Sequence, residues 1–249
     1  MARGAAVDAL APATVAERVL AMRLRVADAC LRAGRPLEAV HIVAAAKGAA
    51  PEAVAEAVAA GIRHVGENRV AEGALRRAAV AERVGSVPVV WHLIGALQTN
   101  KARQAVEAFD RIDSVGSLRL AEILAAQARE RGRRLPVLLQ VALGDDPARN
   151  GFAEDAVPEA ARALAALPEL EPLGLMAIGP LGATEGETRN AFERMAALRA
   201  AIARDPAAPG DWPELSLGMS ADFELAIACG ATEVRLGSAL FGPRSAAPA

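Results

Sequence analysis

Short β-branched or apolar runs alternate along the chain with longer segments rich in Ala, Leu, Arg and Glu. Strand-like runs separated by helix-like stretches are the pattern of repeated βα units and a parallel sheet. Eight strands are predicted: Ile42 to Ala46, His64 to Gly66, Val89 to Ile94, Ile112 to Val115, Val137 to Ala142, Gly174 to Ile178, Glu214 to Leu217 and Glu233 to Leu236. Between them, Phe192, Met195, Leu198 and Ile202 recur at helical spacing and form an apolar stripe that should cover the sheet. Pro51 suits the first position of a helix over Glu52 to Ala60, because its missing N–H is not needed there, and Gly61 offers the left-handed stop. Ser117 similarly caps a helix that Gly132 ends. An additional N-terminal helix, Val15 to Ala33, ends at Gly34 and is expected either to close the barrel's bottom or to pack alongside it.

Eight strands with crossover helices in 249 residues fit a closed barrel better than an open doubly wound sheet. The expectation is an α/β chain forming a (β/α)8 barrel of TIM type with an extra N-terminal helix, as one domain over residues 1–249. No GxGxxG follows the first strand and no GxxxxGK[ST] occurs, which argues against dinucleotide and P-loop sites.

Composition narrows the partners. The formal net charge is −2 with charges mixed along the chain, so neither a nucleic-acid stripe nor a polybasic membrane segment is present. The longest uncharged run, Val84 to Asn100, contains Pro88, Gly95, Gln98 and Asn100 and reads as strand plus loop, not as a membrane span. Asp8 and Glu17 interrupt the Ala-rich start, so no secretory signal is expected and the chain reads as cytoplasmic. Cys30 and Cys229 stand in no CxxC or metal-ligand spacing and read as small buried hydrophobes. His41, His64 and His92 are scattered and read as core or loop residues, so no metal is expected.

Of the 28 basic residues only Lys47 and Lys101 are lysine. A guanidinium stays protonated, whereas a desolvated ammonium can lose its proton and attack a carbonyl, so a lysine retained in such a chain invites attention. In a barrel of this kind, working residues sit at the C-terminal ends of the strands, and phosphate is commonly held after strands seven and eight. Strand one leads into Lys47 and strand two into Gly66-Glu67-Asn68. Strand seven leads into Ser216-Leu217-Gly218-Met219-Ser220, and strand eight ends in Arg235-Leu236-Gly237-Ser238. Gly218 and Gly237 would let backbone N–H groups approach an anion, and Ser220 and Ser238 would add hydroxyls. The same serines could instead be N-caps of the helices that follow. Lys47 follows five apolar residues and should emerge from a dry wall, which suits imine formation with an aldehyde; a solvated strand-end lysine is the plainer alternative. Arg235 would face the same mouth and pair with a ring nitrogen or a carboxylate, or else form a structural salt bridge.

GENRV at 66–70, WHLIGALQTNK at 91–101, GLMAIGP at 174–180 and LSLGMSADFELAIACGATEVRLGSALFG at 215–242, with Lys47, resemble the pyridoxal phosphate homeostasis family, the YggS/PROSC group. These are fold type III barrels related to the alanine racemase N-terminal domain. The resemblance spans most of the chain. It implies that pyridoxal 5′-phosphate (PLP) forms a Schiff base on Lys47, that Ser220, Gly237 and Ser238 hold its phosphate, and that Arg235 faces its pyridine nitrogen. Asn68 and Met219 match positions lining the cofactor in such proteins. The chain departs from the family in Ala44-Ala45-Ala46-Lys47-Gly48, where AVSKT is frequent, in Val141-Ala142-Leu143-Gly144, which lacks a frequent Asn, and in Ser238, where Thr is usual.

The resemblance implies a monomeric carrier or regulator that binds the aldehyde reversibly and exchanges it with PLP-dependent apo-enzymes, with no catalytic residues assigned. The alternative is a racemase-like PLP enzyme. Racemases of this fold use a tyrosine from a second domain, and this chain has no tyrosine. A lysine-dependent aldolase barrel is a third reading, disfavoured because the Schiff-base lysine of such barrels usually lies on a later strand.

Overall fold

The computed structural model describes residues 14–144 and 150–242; Asp8 of the Ala-rich start lies outside them. The strands are β1 (His41–Ala45), β2 (His64–Glu67), β3 (Val90–Leu93), β4 (Arg111–Val115), β5 (Leu135–Val141), β6 (Leu170–Ala177), β7 (Glu214–Ser216) and β8 (Glu233–Leu236). Each is parallel to its neighbours and β8 returns to β1, so the sheet closes in sequence order. The helices are α1 (Val15–Arg32), α2 (Pro51–Ala59), α3 (Val70–Val84), α4 (Ala102–Ala108), α5 (Leu118–Glu130), α6 (Val157–Ala163), α7 (Glu185–Ile202), α8 (Phe223–Ala228) and α9 (Ser238–Phe241). This is the (β/α)8 barrel of TIM type that the periodicity predicts.

All eight predicted strands form, but β6 begins at Leu170, four residues before the expected Gly174. Pro172 obscures that start, because proline within a run removes a ladder donor. It is accommodated at a register shift, where β5 changes its pairing with β6 between Val137 and Leu138. The run from Val84 to Asn100 holds the strand β3 and a loop, as expected, though its first residue closes α3 and its last two enter a 3-10 turn at Thr99–Lys101. Among the described residues no helix is long and apolar enough to cross a membrane.

Pro51 stands in the first turn of α2, and Gly61 beyond its end takes φ 104°, the left-handed region that glycine enters without strain. Ser117 caps α5 by accepting from Leu120 N at 3.2 Å. In α7, Phe192, Met195 and Ile202 are buried, while Leu198 packs at the edge of the core. Helix α1 buries Val15, Val19, Met22, Val26 and Ala29, a stripe at helical spacing. It packs against α2, α8 and α9. Because α9 is a single turn, α1 takes the outer place beside it in the helical ring, so packing alongside prevails over capping the bottom.

The barrel floor departs from the apolar layers usual in this fold. His41, His64, Arg111, Glu214 and Glu233 are the first residues of their strands, and His92 pairs in register with Arg111. Closure brings them together. The His41 and His64 rings lie 5.2 Å apart, His64 Nδ1 lies 3.0 Å from His92 Nε2, and His92 Nδ1 lies 2.9 Å from Asp113 Oδ2. Arg111 donates to Asp113 at 2.6 Å and to Glu233 at 2.7 Å, and also pairs with Glu214. The histidines, dispersed along the chain, are thus neighbours in space. Burial, with neighbouring His92, pulls His64 down to about 4, and burial pushes the Glu233 carboxyl up to about 7 against the pull of Arg111.

Candidate functional site

The opposite, C-terminal ends of β1, β2, β7 and β8 form a contiguous mouth, since β7, β8, β1 and β2 are successive neighbours. Lys47 leaves β1 on a turn in which Ala49 N donates to Ala46 O at 2.9 Å and Gly48 takes φ 77°. Ala46 is buried but Lys47 is exposed. The apolar run therefore does not desolvate the amine, as its pattern suggested: the run is used up by the strand, and the lysine lies one step beyond it. Ala46 N donates to Gly66 O at 2.9 Å, which ties the base of this turn to β2.

Arg76 of α3 holds the same loop from behind. Its Nε donates to Ala49 O at 3.1 Å, and its Nη1 pairs with Glu67, whose side chain is 1% exposed at the end of β2. Burial pushes the Glu67 carboxyl up, and Arg76 opposes that shift. Asn68 follows and is half-buried. Its backbone presses on Gly95, where a Cβ would stand 2.2 Å from Asn68 O. Only glycine fits there.

The loops after β7 and β8 are laced together. Arg235 N donates to Gly218 O at 3.0 Å, and Ala239 N donates to Ser220 Oγ at 3.3 Å. The Ser220 hydroxyl thus serves the first turn of α9 across the mouth, whereas its own helix, α8, has Asp222 as N-cap. Ser238 is exposed and lies just inside α9, whose N-cap is Gly237. Neither serine caps the helix that follows it. A Cβ on Gly237 would approach Ala45 O at 3.3 Å, so this loop sits directly against the strand that leads to Lys47. Gly218 adopts φ 83°, and a Cβ there would meet Ala226 Cβ at 2.6 Å. The two glycines therefore let the loops pack closely, Gly218 against α8 and Gly237 against β1. Met219 is 41% exposed, and its N–H donates to Asp222 Oδ1 at 2.6 Å.

Arg235 is 5% exposed. Its Nη1 donates to Ser216 O at 2.8 Å and Ser216 Oγ at 2.7 Å, and its Nη2 donates to Ala177 O at 2.7 Å. Among the described residues no carboxylate pairs with it, so the salt-bridge alternative falls. Burial lowers its pKa from the ordinary value, and Asp113 and Glu233 partly offset this. Three neutral oxygens fix the guanidinium while donors remain for a ligand.

Asp222 and Arg76 were not expected from the sequence, and Ser216 was placed at the mouth without its partner Arg235. Asp222 carries an ordinary N-cap signature ahead of α8 that could have exposed it. Ser216 and Arg76 act through partners 19 and 27 residues away along the chain, which no local spacing reveals.

Residues 18–245 match the family model described as alanine racemase, N-terminal domain. The chain is 37% identical over 230 residues to the pyridoxal phosphate homeostasis protein of Escherichia coli (strain K12), covering 92% of this chain and 97% of that protein. It is 37% identical over 231 residues to the protein of the same name from Pseudomonas aeruginosa, covering 93% and 96%. Among solved structures it resembles PipY of Synechococcus elongatus PCC7942 with PLP bound, at 38% identity and a TM-score of 0.78, covering 92% of this chain and 100% of that one. With the barrel and its mouth in place, these likenesses over nearly the whole length establish that the chain belongs to the pyridoxal phosphate homeostasis protein family, within the alanine racemase N-terminal domain group.

Proposed function

We propose that this chain binds PLP as a Schiff base on Lys47 and acts in cofactor homeostasis, holding PLP reversibly and releasing it to PLP-dependent apo-enzymes. The carrying observation is that the laced loops after β7 and β8 sit directly against the end of β1, so their glycines and hydroxyls and the exposed Lys47 share one end of the barrel, which supports this reading. The cofactor supplies an aldehyde that condenses reversibly with an amine and releases water. Lys47 provides the amine. Its exposure lets water and competing amines reach the linkage, which suits exchange. Ser220, Ser238 and the backbone at Gly237 receive the phosphate oxygens, as glycine-lined N–H groups and hydroxyls do at other anion sites. Arg235 donates to the ring nitrogen but keeps its proton, which restrains carbanion chemistry. Asn68 and Met219 border the ring. That a relative of 38% identity has been solved with PLP bound supports the reading.

The absence of tyrosine favours holding over racemisation. The protein is expected to act as a cytoplasmic monomer, which light scattering of the purified chain checks for mass. The decisive test mixes purified chain with PLP, reduces it with borohydride and maps the modified peptide. A visible chromophore and a label on Lys47 are expected, and both vanish in Lys47→Ala. A label on Lys101 alone would overturn the assignment. Sustained α-proton exchange from single L-amino acids would move the chain to the racemase-like reading.

A further inference from the structure

The floor of the barrel holds a cluster that the cofactor mouth does not use. His64 on β2, His92 on β3 and Glu233 on β8 each offer a ligand atom, and these atoms all lie within 4.8 Å of one another. We infer that His64, His92 and Glu233 form a binding site for a divalent transition-metal ion of the zinc class.

The hydrogen bonds around the cluster set the ligand form of His92. Asp113 accepts from Arg111 Nε through Oδ1, and its Oδ2 lies 2.9 Å from His92 Nδ1. A carboxylate accepts, so His92 Nδ1 carries the proton and Nε2 presents its lone pair to the cluster. A carboxylate behind an imidazole is the arrangement that orients metal-binding histidines. His92 Nε2 accepts from His64 Nδ1 at 3.0 Å, so a bound ion replaces that proton and His64 takes its other tautomer, with the proton on Nε2. Two nitrogens on one tetrahedral zinc stand about 3.3 Å apart, given bonds of about 2.0–2.1 Å. A shift of a few tenths of an ångström therefore suits the histidine pair to the ion, and Glu233 closes the remaining distance by side-chain rotation.

Glu233 supplies an independent observation. Its Oε2 accepts from Arg111 at 2.7 Å, while its Oε1 is buried without a hydrogen-bond partner among the described residues. Buried carboxylate oxygens are ordinarily satisfied, and a cation would be the missing partner. Charge points the same way: Asp113, Glu214 and Glu233 meet the Arg111 guanidinium, and buried Arg235 adds a second cation within the field of Asp113 and Glu233, so three carboxylates face two guanidinium groups. A divalent ion offsets that excess in a place where unpaired charge is costly. A cavity of about 370 Å³, lined by Arg23, His41, Ile42, Arg63 and His64 among others, borders the cluster at His64, while His92 and Glu233 lie behind it. Three protein ligands leave a fourth position for water. Such an ion would brace β2, β3 and β8.

The test uses the full chain stripped with a chelator and titrated with zinc against a chromophoric zinc indicator. One zinc per chain is expected, with affinity reduced about tenfold or more in His64→Gln and in the isosteric Glu233→Gln, and unchanged when Cys30 and Cys229 are replaced by serine. Melting in excess chelator shows whether each variant folds, and zinc should raise the melting temperature of the parent chain but not of His64→Gln. Cobalt supplies a second readout, a visible band in the parent chain that the histidine variant loses. Absence of stoichiometric binding, binding equally tight in both ligand variants, or binding abolished only by the cysteine replacements would each overturn the inference. Lys47→Ala should bind zinc like the parent, which separates this site from the cofactor mouth.

Discussion

At the scale of single residues, the mouth is read most sharply through Arg235. Its guanidinium satisfies Ser216 O, Ser216 Oγ and Ala177 O from inside the barrel. Arg235→Leu leaves these acceptors unpaired, and an orphaned buried acceptor costs about 1–3 kcal/mol. The variant should therefore melt at lower temperature and also bind PLP more weakly, a loss that titration of the chromophore measures. An unchanged PLP titration would remove Arg235 from the site. The placement of Lys47, Ser220, Gly237 and Ser238 just beyond strand ends, and of Arg235 within the last strand, was legible because the strands are recognisable. The exposure of Lys47 was not, because one residue decides whether a side chain belongs to a strand or to the turn beyond it.

Among elements, α3 and the β1 loop are coupled by Arg76, which spans the Glu67 carboxylate and Ala49 O. Arg76→Ala strands a buried carboxylate, and breaking a buried pair in this way costs about 3–5 kcal/mol. The pH dependence follows from the sign of the shift. Burial already holds the Glu67 carboxyl above its ordinary value. Without Arg76 it rises further, so the folded state binds more protons than the unfolded one, and stability is lost as pH climbs above the ordinary carboxylate range near about 4.3. The variant should lie closer to the parent at acid pH than at neutral pH, as thermal melts at the two values would show. A penalty independent of pH would assign the loss to packing alone. Strand order and the ends of α1, α2 and α5 were legible, the latter two through Pro51, Gly61 and Ser117. The early start of β6 was hidden by Pro172, which only pairing with a shifted β5 accommodates.

For the whole molecule, a ligand that binds only the closed mouth must stabilise the barrel. At PLP concentrations about a hundredfold above the dissociation constant, linkage contributes about 2.7 kcal/mol. For a chain of this size that raises the melting temperature by roughly 5–11 °C, taking about 2–4 °C per kcal/mol. Lys47→Ala should show a markedly smaller rise in the same calorimetric scan. Full retention of the rise would mean that the Schiff base adds little to holding the cofactor.

The sequence by itself determined the barrel, its element order and the strand ends from which a phosphate cradle and an amine would project. Those features are local: period two against period 3.6, and turn residues at fixed offsets. Only the tertiary structure decided which strand ends meet. Closure of β8 onto β1 sets Gly237 against Ala45 and gathers His64, His92 and Glu233 on one floor. Residues some 170 positions apart become neighbours through parallel pairing around a ring, and no spacing along the chain records that contact. The lacing of Ser220 to α9 and the support of the Lys47 loop by Arg76 are likewise long-range hydrogen bonds, which exist only once the helices have packed.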